Sequence, residues 1–298
     1  MLKIAVSSRT LFDIEDGHKV WLDKGQEAFT KYMIKKEDTP LKPGVAFPLV
    51  SKLLAMNKEG EAPLVGVVVL SRNSPASGMR VMNSIQHYGL FIEQAAFTSG
   101  RDRFEYAKAM NVSLFISANQ DDAAAALSKG LPAAVFLPGQ AREADFRNEL
   151  RVAFDGDSVI FSDEADRVFR ENGLTAFRAS EESNARVPLA GGPFKSVLEK
   201  LHELRLACPD LVRIALITAR GIPAHGRAVT TLRSWGIEMD EMVFCAGSPK
   251  GEILKAFGAD LFFDDTKKHV DSGHAHGVLS GYVPQGEGGI VAEAAIAA

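Results

Sequence analysis

Short aliphatic and β-branched runs recur along this chain with room for a helix between most successive members: Lys3 to Val6, Leu64 to Leu70, Val112 to Ile116, Ala133 to Leu137, Val152 to Phe154, Val212 to Ile217, Met242 to Cys245 and Asp260 to Phe263. Runs that are continuously apolar read as strands buried on both faces, and helical crossovers between them make neighbouring strands parallel. The expected fold class is therefore α/β, with parallel sheets covered by helices. A chain of 298 residues has room for two domains, each with its own core. The polar, Gly- and Arg-containing stretch between Pro138 and Arg151 is the expected boundary, giving units 1–140 and 150–298. From Phe161 to Cys208 the strand pattern loosens, which suggests a small cap inserted over about 162–208.

Composition removes several classes of partner. The net charge of −4 leaves no basic field to attract nucleic acid or an anionic membrane surface. No apolar run approaches membrane-spanning length, and Met1 to Val6 reads as a strand rather than a leader. Cys208 and Cys245 form no disulfide framework and have no zinc-finger spacing, as in a reducing compartment. The expectation is a soluble cytoplasmic protein that binds any phosphate locally, with neither nucleic-acid nor membrane partners.

Polar signals sit at the carboxyl ends of the later strands, where ligands bind in parallel sheets. Asp155 and Asp157 follow Val152-Ala153-Phe154 and concentrate negative charge that calls for a cation. Thr218 ends the run Val212 to Ile217, where its hydroxyl and amide can both donate to a phosphate oxygen. Lys250, in Gly247-Ser248-Pro249-Lys250-Gly251, opens a helical segment and can neutralise an anion. Asp264-Asp265 follows Leu261-Phe262-Phe263 and supplies the oxygen donors that magnesium prefers. Singly, each has a plainer reading as an acidic turn, a helix cap or a surface lysine.

Taken in order, Phe154-Asp155-Gly156-Asp157, Thr218, Lys250 and Asp264-Asp265 resemble the motifs of the haloacid dehalogenase (HAD) superfamily of phosphotransferases. A response-regulator receiver carries its acidic pair on the first strand and ends with Lys. An acidic pair after the Lys disfavours that alternative. Leu70 to Pro75, Asn83 to Gly89 and Lys255 to Asp265 narrow the likeness to the cytosolic 5'-nucleotidase type I family, over nearly the whole chain. The resemblance implies a Rossmann-like HAD core with a small cap, hydrolysing nucleoside 5'-monophosphates, AMP foremost, with Mg²⁺. It implies Asp155 as nucleophile and Asp157 as general acid and base. It further implies Mg²⁺ held by Asp155, Asp157, Asp264 and Asp265, with Thr218 and Lys250 on the phosphate oxygens. The alternatives are an HAD-type phosphatase for another small phosphometabolite and a non-catalytic nucleotide sensor.

For substrate contacts, Arg220, His225 and Arg227 follow Thr218 closely, and the cap offers Phe169, Phe177, Arg178, Asn184 and Arg186. His274 and His276 form an H-x-H pair without an evident third ligand, which favours a loop. A homo-oligomer and a regulatory nucleotide are further expected partners.

An internal repeat also emerges. Arg72, Pro75 and Gly78 precede Arg220, Pro223 and Gly226 by 148 positions, while Gly89, Phe97, Gly100, Lys108, Leu114 and Phe115 precede their matches by 147. Carried to the motifs, the offset sets Ser7 against Asp155, Arg9 against Asp157, Leu70 (with Ser71 adjacent) against Thr218, Arg103 against Lys250, and Ser117-Ala118 against Asp264-Asp265. The first unit would then be a degenerate copy whose site has become cationic, with Arg9, Arg72, Arg101 and Arg103 binding an anion. The plainer account is two α/β segments that share packing positions.

Overall fold

The computed structural model describes residues 1–137 and 149–284. The chain divides into two compact units, Met1–Asn148 and Glu149–Ala298. The polar boundary expected between Pro138 and Arg151 lies almost wholly outside the described residues.

The first unit runs β1 (Leu2–Val6), α1 (Ser8–Leu11), β2 (Phe12–Asp13), α2 (Glu15–Lys35), β3 (Lys42–Pro43), α3 (Phe47–Ala55), β4 (Val65–Ser71), α4 (Pro75–His87), β5 (Gln94–Phe97), α5 (Phe104–Ala109), β6 (Leu114–Ser117), α6 (Gln120–Ser128) and β7 (Ala133–Val135). Its parallel sheet has the order β7-β6-β1-β4-β5. Short polar side chains start the helices: Ser74 and Asn119 accept from the backbone amides of Ser77 and Asp122, and Pro75 adds a preset φ at the first position of α4.

The second unit runs β8 (Leu150–Phe154), a wide turn over Gly156–Ile160, α7 (Glu164–Ser183), α8 (Lys195–Ala207), β9 (Val212–Thr218), α9 (His225–Ser234), β10 (Glu241–Phe244), α10 (Gly251–Phe257), β11 (Leu261–Asp264), α11 (Lys267–Ala275) and β12 (Leu279–Tyr282). Its parallel sheet has the order β10-β9-β8-β11-β12. Strands β8, β9 and β11 are almost wholly buried, as their unbroken apolar runs require. Phe263 stacks on Phe154 at 5.6 Å and meets Phe194 at 4.8 Å, forming a rigid floor beneath the strand ends.

In both units the first strand is central, flanked on one side by the second and third and on the other by the fourth and fifth. The registers agree as well. Val6 lies opposite Val69 and Ile116, and Phe154 opposite Leu216 and Phe263. Ser71 lies opposite Phe97, and Thr218 opposite Phe244. Helices α2 and α7 both break at a glycine with positive φ, Gly25 at 78° and Gly173 at 77°. Arg80 donates from Nε to the Thr39 carbonyl at 2.9 Å, as Arg227 does to the Val187 carbonyl at 2.9 Å.

Three corrections follow. The cap expected over 162–208 is shorter, because the Phe161–Gly191 bridge closes the excursion around α7. Helix α8, which buries Val197, Leu198 and Leu201, packs on β9 as the crossover helix of the sheet. The strand registers also move the partner of Thr218 from Leu70 to Ser71. Backbone pairing likewise sets Arg220 against Asn73 rather than Arg72, since the Ser99 amide bonds the Asn73 carbonyl as the Ala246 amide bonds that of Arg220. No described helix is long and apolar enough to cross a membrane.

Candidate active site

The second sheet brings its strand-end signals together. The Asp155 amide donates to the Phe263 carbonyl at 2.8 Å, which locks the end of β8 beside that of β11. Carboxylate oxygens of Asp155, Asp264 and Asp265 consequently fall within 4.8 Å of one another, and among the described residues no other set of three or more acidic, His or Cys side chains clusters in this way. Lys250, fully buried, donates to Asp155 at 2.6 Å and to Asp264 at 2.7 Å. Its position at the start of α10 sends a cation under the acidic cluster, and its ammonium nitrogen lies 5.5 Å from the centre of the Phe262 ring. Buried Thr218 accepts from the Arg220 amide at 3.2 Å. Its hydroxyl lies close to Gly156, in the turn that carries Asp157.

The electrostatics follow from burial. Asp155 is pushed up to about 6, first by desolvation, with Lys250 opposing and Asp264 adding to the rise. Asp265 is raised well above the usual carboxylate range by burial and by the Asp264 charge. Asp264 is held low: burial acts upward, but Lys250 and His269 outweigh it. The His269 ring contributes a 3.1 Å contact from Nδ1. Three crowded oxygen donors of which two resist ionisation form a site that a hard divalent cation would relieve, and oxygen donors suit Mg²⁺.

Asp157 is held in a bidentate fork by Arg220, whose Nε and Nη2 donate to its two oxygens at 2.7 and 2.6 Å. Arg220 also pairs with Glu181 of α7 and lies over the rings of Phe177 and Phe161. Arg227 is spent on the same element, bonding Glu181 at 2.9 Å and Glu164 at 3.3 Å. Arg220 and Arg227, expected as substrate contacts, tie the acidic turn and α9 to α7 in this structure. His225 is exposed and meets Phe244 edge-on at 6.0 Å. Arg178 and Arg186 are exposed, Phe169 packs against Phe177, and Asn184 caps the end of α7 on the Ser180 carbonyl. His276 bonds the Ser272 carbonyl and Glu252, outside the acidic cluster.

Asp166, absent from the sequence reading, lies in the first turn of α7 and accepts from the Ser158 hydroxyl at 2.6 Å. Burial and the nearby Asp157 charge push it up to about 7. A carboxyl raised this way contributes stability that is complete below its unfolded pKa near ~4 and is lost as pH rises through about 7. Asp166→Asn should therefore be more stable than the parent at pH 8 in EDTA, by about 1–3 kcal/mol, and equal to it at pH 4. Urea titrations at both pH values measure this, and equal stability at pH 8 would refute the burial argument.

The family model described as 5'-nucleotidase matches residues 1–289. Human cytosolic 5'-nucleotidase 1B is 36% identical over 297 residues, covering 94% of this chain and 48% of the relative. The chain thus spans about half the length of the curated relative it matches. No solved structure matches it.

Proposed function

Since the chain belongs to the 5'-nucleotidase family, we propose that it hydrolyses nucleoside 5'-monophosphates, AMP foremost, to nucleoside and phosphate. The observation that carries the reading is Lys250 lying between Asp155 and Asp264 with Asp265 beside them. Asp155, Asp264 and Asp265, with the Asp157 carbonyl, would hold Mg²⁺, which when bound offsets repulsion between the carboxylates and a phosphate dianion.

The chain's own groups then divide the work. Asp155 attacks phosphorus through a carboxylate oxygen, the P–O bond to the nucleoside breaks, and an aspartyl-phosphate forms. Asp157 gives its proton to the leaving 5'-oxygen, then takes one from the water that attacks the aspartyl-phosphate, releasing phosphate and restoring Asp155. Lys250 and Thr218 stabilise charge on the non-bridging oxygens. For Asp157 to carry a proton, its fork with Arg220 must open. Arg220 stands two residues after Thr218, so the guanidinium released can turn to the phosphate. The human relative's name supports a cytoplasmic location.

Phosphate release from a panel of nucleotide and sugar monophosphates, with Mg²⁺ and with EDTA, tests chemistry and specificity together. AMP should be cleaved fastest and only with Mg²⁺. Preference for a sugar phosphate would favour the wider phosphatase reading, and nucleotide binding without turnover would favour a sensor.

A further inference from the structure

The first unit repeats the second strand for strand and register for register, yet it has a different set of charges at its strand ends. Ser7 stands where Asp155 stands, Ser71 where Thr218 does, and Ser117-Ala118 where Asp264-Asp265 does. The three clustered carboxylates are gone, and with them the nucleophile. Arg103 occupies the place of Lys250 and is also buried, 3% exposed, with the rings of Phe104 and Phe115 each 5.2 Å away.

The surviving acid has moved. Asp122, at the position of His269, accepts from Arg103 at 2.6 Å and from Arg72 at 3.2 Å. Two guanidinium groups thus share one carboxylate, leaving a net positive charge. Two buried donor atoms here also have no partner: Nε of Arg103 and Nδ2 of Asn73, the counterpart of Arg220. Buried donors are nearly always satisfied, and both of these call for an acceptor. Of the other arginines expected here, Arg9 is paired with Glu15 at 2.8 Å and Arg101 is exposed. Neither is needed.

We propose that the first unit is a non-hydrolytic copy of the catalytic unit that binds a phosphate-class oxyanion through Arg103, Arg72 and Asn73. The site lies within residues 1–137 and is independent of the reaction assigned to the second unit. Free phosphate and the phosphate of a nucleotide share this chemistry, so both are tested.

The experiment is calorimetric titration of the full chain carrying Asp155→Asn, in EDTA, with inorganic phosphate in one arm and AMP in the other. Binding in either arm should fall at least about tenfold with Arg103→Met, because a buried charged donor is lost. It should tighten several-fold with Asp122→Asn, which removes the competing internal anion and which misfolding would not imitate. The proposal is overturned if neither probe binds, or if affinity is indifferent to both Arg103→Met and Asp122→Asn.

Discussion

Asp155→Asn should lower turnover of AMP at least about 10⁴-fold while the chain stays folded, because the reaction loses the atom that attacks phosphorus. An amide oxygen is a far weaker nucleophile, and nothing else at the end of β8 replaces it. The fold should tolerate the change for an electrostatic reason. Burial pushes Asp155 up to about 6, so its contribution to stability is complete below the unfolded value near ~4 and is lost as pH rises through about 6. At pH 7.5 the ionised carboxylate is therefore a burden that Asn does not carry. Lys250 loses its 2.6 Å partner but keeps Asp264 at 2.7 Å. Phosphate release together with a thermal melt in EDTA reads both halves of the expectation. A variant that cleaves AMP at the parental rate would remove Asp155 from the mechanism.

The legible part of this site lies where chemistry is local. Asp155, Asp157, Thr218 and Asp264 each follow or precede an apolar run within a residue or two, so period and position announce them together, and Lys250 stands out at the head of a helical segment. Short strands of mixed composition are harder to see. Gln94–Phe97 and Leu279–Tyr282 are short and carry Gln, Ala, Ser or Gly where a central strand would be β-branched, and neither was expected as a strand. Asp166, Glu181 and His269 were missed because they sit on helices that reach the strand ends only through tertiary packing. Arg227 follows Thr218 closely in sequence, which suggests a phosphate ligand, and in the fold its guanidinium pairs with Glu181 and Glu164 of α7. The repeat was legible as a spacing, but assigning Ser71 rather than Leu70 to the place of Thr218 required the strand pairing itself.

Lys250→Met separates the structural from the chemical role of the buried cation. Without Lys250, Asp155, Asp264 and Asp265 share a buried site with no strong cation, and stranding a buried charge in this way costs about 3–5 kcal/mol. The pH dependence should change with it. In the parent, Lys250 and His269 hold Asp264 low against its burial, so that group contributes stability present above the unfolded carboxylate value and lost on acidification. In the variant, burial dominates at all three carboxyls. Their contribution is then complete below ~4 and is lost as pH rises towards neutrality. In EDTA the variant should therefore melt well below the parent at pH 7.5, with the gap closing towards pH 5. Mg²⁺ should restore stability, since a divalent cation supplies the missing charge, but not turnover. The loss in kcat should persist at about 10²–10³-fold, because the ammonium group is also a donor to the transferring phosphoryl oxygens. Melting curves across pH with and without Mg²⁺, set beside phosphate release, distinguish the two roles. Equal melting in EDTA at pH 7.5 would mean that the carboxylates do not depend on Lys250 for charge compensation.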